Sequence, residues 1–281
     1  MLNEVKKLSC PCKLPDGTSY TNISVENIVT LAKDFGVSGQ YVEIIALEEG
    51  IVPERYARNM KTFSQKDQAT LLKSQISVVG LGGLGGAVIE ILARVGIGTL
   101  KLIDGDTFEE SNLNRQFLSA PDVFENSKAE TAAKRVNRIN SSIVVRTYSE
   151  NLTETNAIEF IGNSDVVVDC LDNLKTRFVL ESASKKIGSP LVSSAVAGVS
   201  GHVTTIFPED EGLVLIYGKD GSLVSKGAEA SLGCLPHAVT VLAALECSEV
   251  IKIILNRGDV LKNRLLIIDL MDNTLEVLKL L

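Results

Sequence analysis

Gly80, Gly82 and Gly85 stand at the spacing G-x-G-x-x-G, directly after the apolar run Ile76-Ser-Val-Val79. In such a run the first glycine permits a tight turn and the second lets a ligand approach the backbone. The third lets the following helix pack close to the sheet. The N–H groups that open the helix, around Gly83, have no partner within it and favour an anion. Asp104 follows about 20 residues later, where a carboxylate can accept both hydroxyl protons of a ribose. The chemistry indicated is the binding of a nucleotide.

Further polar clusters narrow the class. Ser111-Asn112-Leu-Asn-Arg115 places amides and a guanidinium in the loop after Asp104, Lys128 opens the next helical stretch, and Asp169-Cys-Leu-Asp172-Asn173 closes another β-branched run. Arginine grips phosphate through a planar, bidentate contact, and lysine supplies a compact charge. Arg115 and Lys128 are two cations, enough to hold a triphosphate tail, and Asp172 is placed to take Mg2+ through one oxygen. Each residue has an ordinary use as a surface arginine, a first-turn lysine or a turn-forming aspartate. Their convergence at strand ends around one glycine turn is what points to chemistry. A nicotinamide site would share the glycines and Asp104 but gives this concentration of charge no task.

The elements that must position these groups follow from periodicity. Strands are expected at 76–79, 100–103, 143–147, 165–169 and 190–194, alternating with helices at 84–95, 128–139, 155–161 and 174–186. Continuous β-branched runs alternating with helices mean a parallel sheet covered on both faces. The fold class is therefore α/β, a doubly wound, mostly parallel Rossmann-like sheet with its ligand at the carboxyl ends of the strands. After Ser194 the alternation stops. Antiparallel strands are expected at 202–207 and 213–217, then a loop over 218–233, a long apolar helix over 235–255 and a closing hairpin of 265–270 and 275–280. Residues 1–52 read differently, as a turn-rich N-terminal extension of unknown role with a helix over 25–35 capped by Ser24. That extension is too small to bury much core alone and is expected to pack on the main domain, 53–281, or on a partner.

Composition sets bounds. A net charge of -7 and a pI near 5.1 argue against a nucleic-acid surface. No apolar run approaches a membrane span of about 20 residues, and Met1-Leu-Asn-Glu-Val-Lys-Lys7 lacks the apolar core of a signal peptide. A cytoplasmic address is expected. The five cysteines are scattered, which suits a reducing compartment. Cys10 and Cys12 form a lone C-x-C whose role is left open, and His202 and His237 are too few for a histidine metal site.

Taken together, Arg55-Tyr-Ala-Arg58, Gly80-x-Gly-Gly-Leu-Gly85, Asp104-Gly-Asp106, Asn112-Leu-Asn-Arg115-Gln116, Lys128 and Asp169-Cys-Leu-Asp172-Asn173 resemble the MoeB/ThiF/HesA family. These are bacterial and archaeal relatives of the ubiquitin-activating enzymes, and the resemblance runs from about Pro53 to the C-terminus. It implies an ATP-dependent adenylyltransferase acting on the C-terminal glycine carboxylate of a β-grasp sulfur-carrier protein that ends in Gly-Gly (ThiS/MoaD-like). Carboxylate attack on the α-phosphate gives an acyl-adenylate and pyrophosphate, for sulfur transfer in cofactor biosynthesis. No general base is required, because the nucleophile is already ionised at neutral pH; what must be offset is charge.

The resemblance also implies residue roles. Gly80, Gly82, Gly83 and Gly85 form the nucleotide turn and Asp104 holds the ribose. Asn112, Arg115 and Lys128 hold the phosphates, Ser111 and Asn173 are further nucleotide-binding positions, and Asp172 binds Mg2+. Arg58 reaches into the site of a second subunit, so a homodimer is implied.

Two departures qualify the resemblance. The two C-x-x-C pairs that hold zinc in many members are absent, so zinc is not expected. The loop 218–233 contains no cysteine, and Cys234 is expected as a buried residue at the start of the long helix; Cys170 is expected to pack in its strand. The expectation is an enzyme that adenylates only. Alternatives are the same chemistry on another carboxylate, such as a tRNA threonylcarbamoyl adduct, a peptide or a cofactor acid, and an NAD(P)-dependent oxidoreductase. Thiamine, molybdenum-cofactor and tungsten-cofactor pathways all fit.

Overall fold

In the computed structural model, which describes residues 1–219 and 229–281, the β-branched runs build one eight-stranded sheet. Its strands are β4 (Gln75–Val79), β5 (Thr99–Ile103), β6 (Val144–Tyr148), β7 (Val166–Asp169), β8 (Leu191–Ala197), β9 (Ser200–Ile206), β10 (Arg264–Asp269) and β11 (Thr274–Lys279). They lie in the order β11-β10-β9-β8-β7-β4-β5-β6. The segment from β6 to β8 is parallel and the three remaining strands are antiparallel. The chain runs from β4 outward through β5 and β6, then returns to the other side of β4 as β7. That reversal is the switch point at which doubly wound sheets bind ligands.

Helices cover both faces. α5 (Gly83–Val95), α6 (Lys128–Ile139) and α11 (Pro236–Leu255) pack on the side of Ile76, Val78, Val166 and Val168. α7 (Ala157–Ile161) and α8 (Leu174–Ile187) pack on the side of Val79 and Val167. Alternate residues of one strand thus enter different cores, which is why the strands read as unbroken apolar runs.

The corrections lie after β8. Residues 213–217, expected as a strand, form a single helical turn, α9 (Val214–Tyr217). The free edge of β9 is taken by β10, through Leu266 opposite Val203. Leu213 N–H instead donates to Glu181 Oε1 of α8 at 3.3 Å, so the segment closes over that helix. A short apolar run does not by itself distinguish these outcomes. Within the expected loop 218–233, residues 220–228 lie outside the described residues and Glu229–Leu232 form a helical turn, α10. The closing hairpin β10–β11 forms as expected.

Residues 1–53 carry α1 (Leu2–Lys7), β1 (Cys10–Lys13), β2 (Ser19–Ile23), α2 (Val25–Phe35), α3 (Gly39–Glu48) and β3 (Ile51–Pro53), with a three-stranded sheet β1-β2-β3. Ser24 Oγ caps α2 by accepting Asn27 N–H at 3.2 Å. The core of this segment is small, as its length leads one to expect, and includes Val5, Ile23, Ile28, Val42 and Ile51. The segment also packs on the main domain, where Leu47 and Tyr56 meet Ala69 and Leu72 of α4 (Gln65–Lys73). Among the described residues no helix is long and apolar enough to cross a membrane.

Candidate functional site

The glycine turn is forced by contact. Gly80 has φ +87°, and a Cβ there would lie 2.6 Å from the Cys170 carbonyl oxygen. A Cβ on Gly85 would lie 1.8 Å from the Gly80 oxygen. These two positions let α5 start directly on the end of β4 and against β7. Gly82 is the N-cap of α5 and offers no side chain to its first N–H groups. They open onto a cavity of about 520 Å³ at the carboxyl ends of the central strands.

Gly80, Gly82, Gly83, Asp104, Arg115, Lys128, Asp172 and Asn173 all line this cavity; Gly85, Ser111, Asn112 and Arg58 do not. Gly85 serves the strand–helix contact. Asn112 is buried, and its Oδ1 accepts the Glu109 N–H at 3.1 Å, capping the short helical turn 110–112. The Ser111 carbonyl accepts Arg115 Nη1 at 3.1 Å, and Asn114 Oδ1 accepts the same nitrogen at 2.7 Å. Ser111 and Asn112 therefore shape the loop that presents Arg115. Arg58 is exposed on a 3-10 helix, Glu54–Asn59, outside the cavity.

Asp104 ends β5 with one oxygen accepting Leu81 N–H at 2.6 Å and the other accepting Asp106 N–H at 2.8 Å. Burial pushes its carboxyl above the ordinary value of 3.8, with the two N–H groups and Lys128 opposing. A ribose contact needs the ionised form as acceptor. ATP affinity is therefore expected to weaken on acidification before the ordinary aspartate range is reached, and Asp104→Asn should remove that step. Titrating the ATP Kd of both proteins against pH checks this; superimposable profiles would refute it.

Lys128, the first residue of α6, is almost fully buried and donates to Asp106 Oδ2 at 3.0 Å, while Asp106 stays exposed. The Asn173 side chain caps α8, accepting Thr176 N–H at 2.9 Å, and its amide lies 3.4 Å from Oδ1 of the exposed Asp172. The loop between β7 and α8 is fixed from beneath. Arg177 Nη1 donates to buried Asp169 Oδ2 at 3.1 Å, and its Nη2 donates to the Leu171 carbonyl. Ser193 Oγ donates to the same Asp169 oxygen at 2.7 Å. Behind Cys170 lies Glu246, fully buried, whose carboxyl burial drives well above its usual range.

Sequence reasoning passed over Arg177, Asp106 and Gln116 as functional positions. Asp106 and Gln116 lie in the segments Asp104-Gly-Asp106 and Asn112-Leu-Asn-Arg115-Gln116, which carry the family resemblance. Arg177 gave no signal, since an arginine on a helix reads as a surface charge. Cys234 corrects an expectation: it precedes the long helix, bridges to Gly198, is half-buried and lines the cavity. Cys170 is buried just beyond β7, as expected for a packed thiol.

A nucleotide fits this donor set. Gln116 Oε1 is a buried acceptor in the cavity wall with no partner among the described residues, and a buried unpaired acceptor is costly unless a ligand satisfies it. Mg2+ keeps several of its waters and needs few protein oxygens, so a single exposed carboxylate, Asp172, suits it. Among the described residues no cluster of three His, Cys, Asp or Glu side chains is arranged as a metal site.

A switch-point cavity lined by a glycine turn, Asp104, Arg115 and Lys128 is where doubly wound sheets bind their ligands. Comparison with known proteins makes this specific: residues 56–280 match the ThiF family, and the chain belongs to that family. It is 35% identical over 228 residues to the SAMP-activating enzyme E1 of Haloferax volcanii, covering 79% of this chain and 83% of that one. It is 33% identical over 277 residues to the adenylyltransferase and sulfurtransferase MOCS3 of Drosophila sechellia, covering 94% of this chain and 58% of that one. The chain thus spans little more than half the length of the MOCS3 relative. Among solved structures, E. coli MccB with ATP shares the fold at TM-score 0.66 and 23% identity, covering 80% of this chain and 70% of that one.

Proposed function

We propose that the chain is an adenylyltransferase that activates the C-terminal carboxylate of a ubiquitin-like, β-grasp sulfur carrier ending in Gly-Gly, using ATP with Mg2+. The reading rests on family membership together with one observation, the presence of Arg115, Lys128 and the open N-terminus of α5 on the wall of a single cavity. ATP supplies the electrophilic α-phosphate. The N–H groups of the glycine turn and Asp104 orient the nucleotide. Arg115 and Lys128 offset the negative charge that a carboxylate brings to a phosphate, and Asp172 would hold Mg2+. Gln116, beside Gly82, would be a further contact to the nucleotide. Arg58, exposed and not among the residues lining its own cavity, would serve the cavity of a second copy in a homodimer. Residues 53–281 would form the adenylation domain and residues 1–52 its extension, working in the cytoplasm.

The test is ATP–pyrophosphate exchange with Mg2+, run with and without a carrier ending in Gly-Gly. Exchange that depends on the intact carrier tail is expected. Clear ATP binding with no exchange for any carrier would refute the carrier assignment and move the acceptor to a small carboxylic acid or a tRNA adduct.

A further inference from the structure

No residue of 1–53 lines the cavity, yet these residues grip the short helix that bears Arg58 from two sides. Glu54, its first residue, accepts from Tyr20 Oη at 2.8 Å and from Asn22 Nδ2 at 2.6 Å, both on β2. On the opposite side Arg55 Nε lies 3.3 Å from Glu43 Oε1 of α3. Tyr56 Oη donates to Glu43 Oε2 at 3.1 Å, and Ser142 Oγ donates to Glu43 Oε1 at 2.9 Å. Asn140, at the C-terminal end of α6, donates to Tyr56 Oη at 2.8 Å and accepts from Arg55.

Glu43 and Tyr56 are both 0% exposed. An apolar contact would attach the segment at lower cost, because a buried carboxylate must recover its lost hydration from every partner at once. What a polar network adds is direction, since each hydrogen bond in it has a required geometry; Arg55 Nε meets Glu43 as an ion pair without a hydrogen bond. Three consecutive residues, 54 to 56, are fixed in this way. Arg58, two positions on, is left exposed, with no hydrogen bond or ion pair among the described residues. The fixed residues therefore lie immediately before an exposed cation, whose charge also acts on Tyr20 of β2. The same network reaches the end of α6, the helix that begins at Lys128.

We propose that residues 1–53 are a clamp that aims Arg58, with Glu43 as the central positioning residue. This rests on the role given above to Arg58 in adenylation. A misplaced charge lowers a rate without changing how the nucleotide is first bound, so the clamp predicts a selective effect.

The experiment is a double-mutant cycle of Glu43→Gln and Arg58→Ala in the full chain, read by carrier-dependent ATP–pyrophosphate exchange. Glu43→Gln is expected to lower kcat about tenfold with the KM for ATP unchanged, and to cost nothing further once Arg58 is alanine. An equal loss in both backgrounds, or no loss in the wild-type background, overturns the clamp and leaves the role of Arg58 standing. If Arg58→Ala alone retains full exchange, both ideas fall. Should Glu43→Gln not fold, Asn22→Ala removes the exposed bond from β2 to Glu54. It should give a smaller loss of kcat, about threefold, that likewise vanishes in the Arg58→Ala background.

Discussion

Lys128→Met is expected to lower the rate of carrier-dependent adenylation by about 10²–10³ while leaving thermal stability almost unchanged. Removing one preorganised charge donor from a site where anionic charge must be offset typically costs about 2.7–4 kcal/mol of transition-state stabilisation. The effect on folding is small for two reasons. The partner, Asp106, is 65% exposed, so its carboxylate returns to water without penalty. Lys128 also stands at the first position of α6, where the helix dipole disfavours a cation. A positive charge at the unfavourable end of a helix, on a residue that lines the cavity, gains little for the fold, and under the proposed function it serves the phosphates. Single-turnover rates and melting curves of the two proteins test this together. A rate loss below tenfold, or a large fall in melting temperature, would make Lys128 a structural residue paired to Asp106.

Asp169→Ala is expected to have the opposite signature, destabilising the protein by about 3–5 kcal/mol. Asp169 is 0% exposed and Arg177 is 4% exposed, so the substitution leaves a buried guanidinium without its counter-charge. Against a total stability of about 5–15 kcal/mol, that is a large fraction. It corresponds to a fall in Tm of roughly 10 °C for a domain of this size. Asp169 also accepts the Leu171 N–H at 3.1 Å, so the loop carrying Asp172 and Asn173 loosens with it. The double variant Asp169→Leu with Arg177→Met removes both charges and should recover most of the stability, since well-packed apolar pairs replace buried ion pairs at little cost. It should not recover activity, because the loop loses the bonds that hold it. Urea unfolding midpoints of the single and double variants decide the matter. A cost under about 1 kcal/mol for Asp169→Ala would show that water or Glu246 meets the charge of Arg177.

The unequal legibility of the site follows from the same contrast. Gly80, Gly82, Asp104 and Asp172 sit just beyond strand ends, which can be found from local apolar periodicity, and Arg115 and Lys128 stand in the connection from β5 to the start of α6. Their meeting at one cavity follows from the topology of a doubly wound sheet. Arg177 reports nothing locally, because its partners Asp169 and Ser193 come from two other strands, 8 and 16 residues away along the chain. The apolar stretch after Cys234 predicts a helix that starts there. The bridge from Cys234 to Gly198 of the β8–β9 turn decided otherwise. Residues 213–217 went to a helical turn because β10, some 50 residues later, claimed the edge of β9.

By itself the sequence determined the doubly wound core, the nucleotide turn and the family, because each is written in short-range spacing: strand periodicity, glycine positions and residues one turn from a strand end. Only the tertiary structure decided which charges are buried in pairs, which face the cavity, and that residues 1–53 seat the Arg58 helix through Glu43. Those outcomes depend on desolvation, and desolvation is set by what distant segments place on top of a residue, not by its neighbours in the chain.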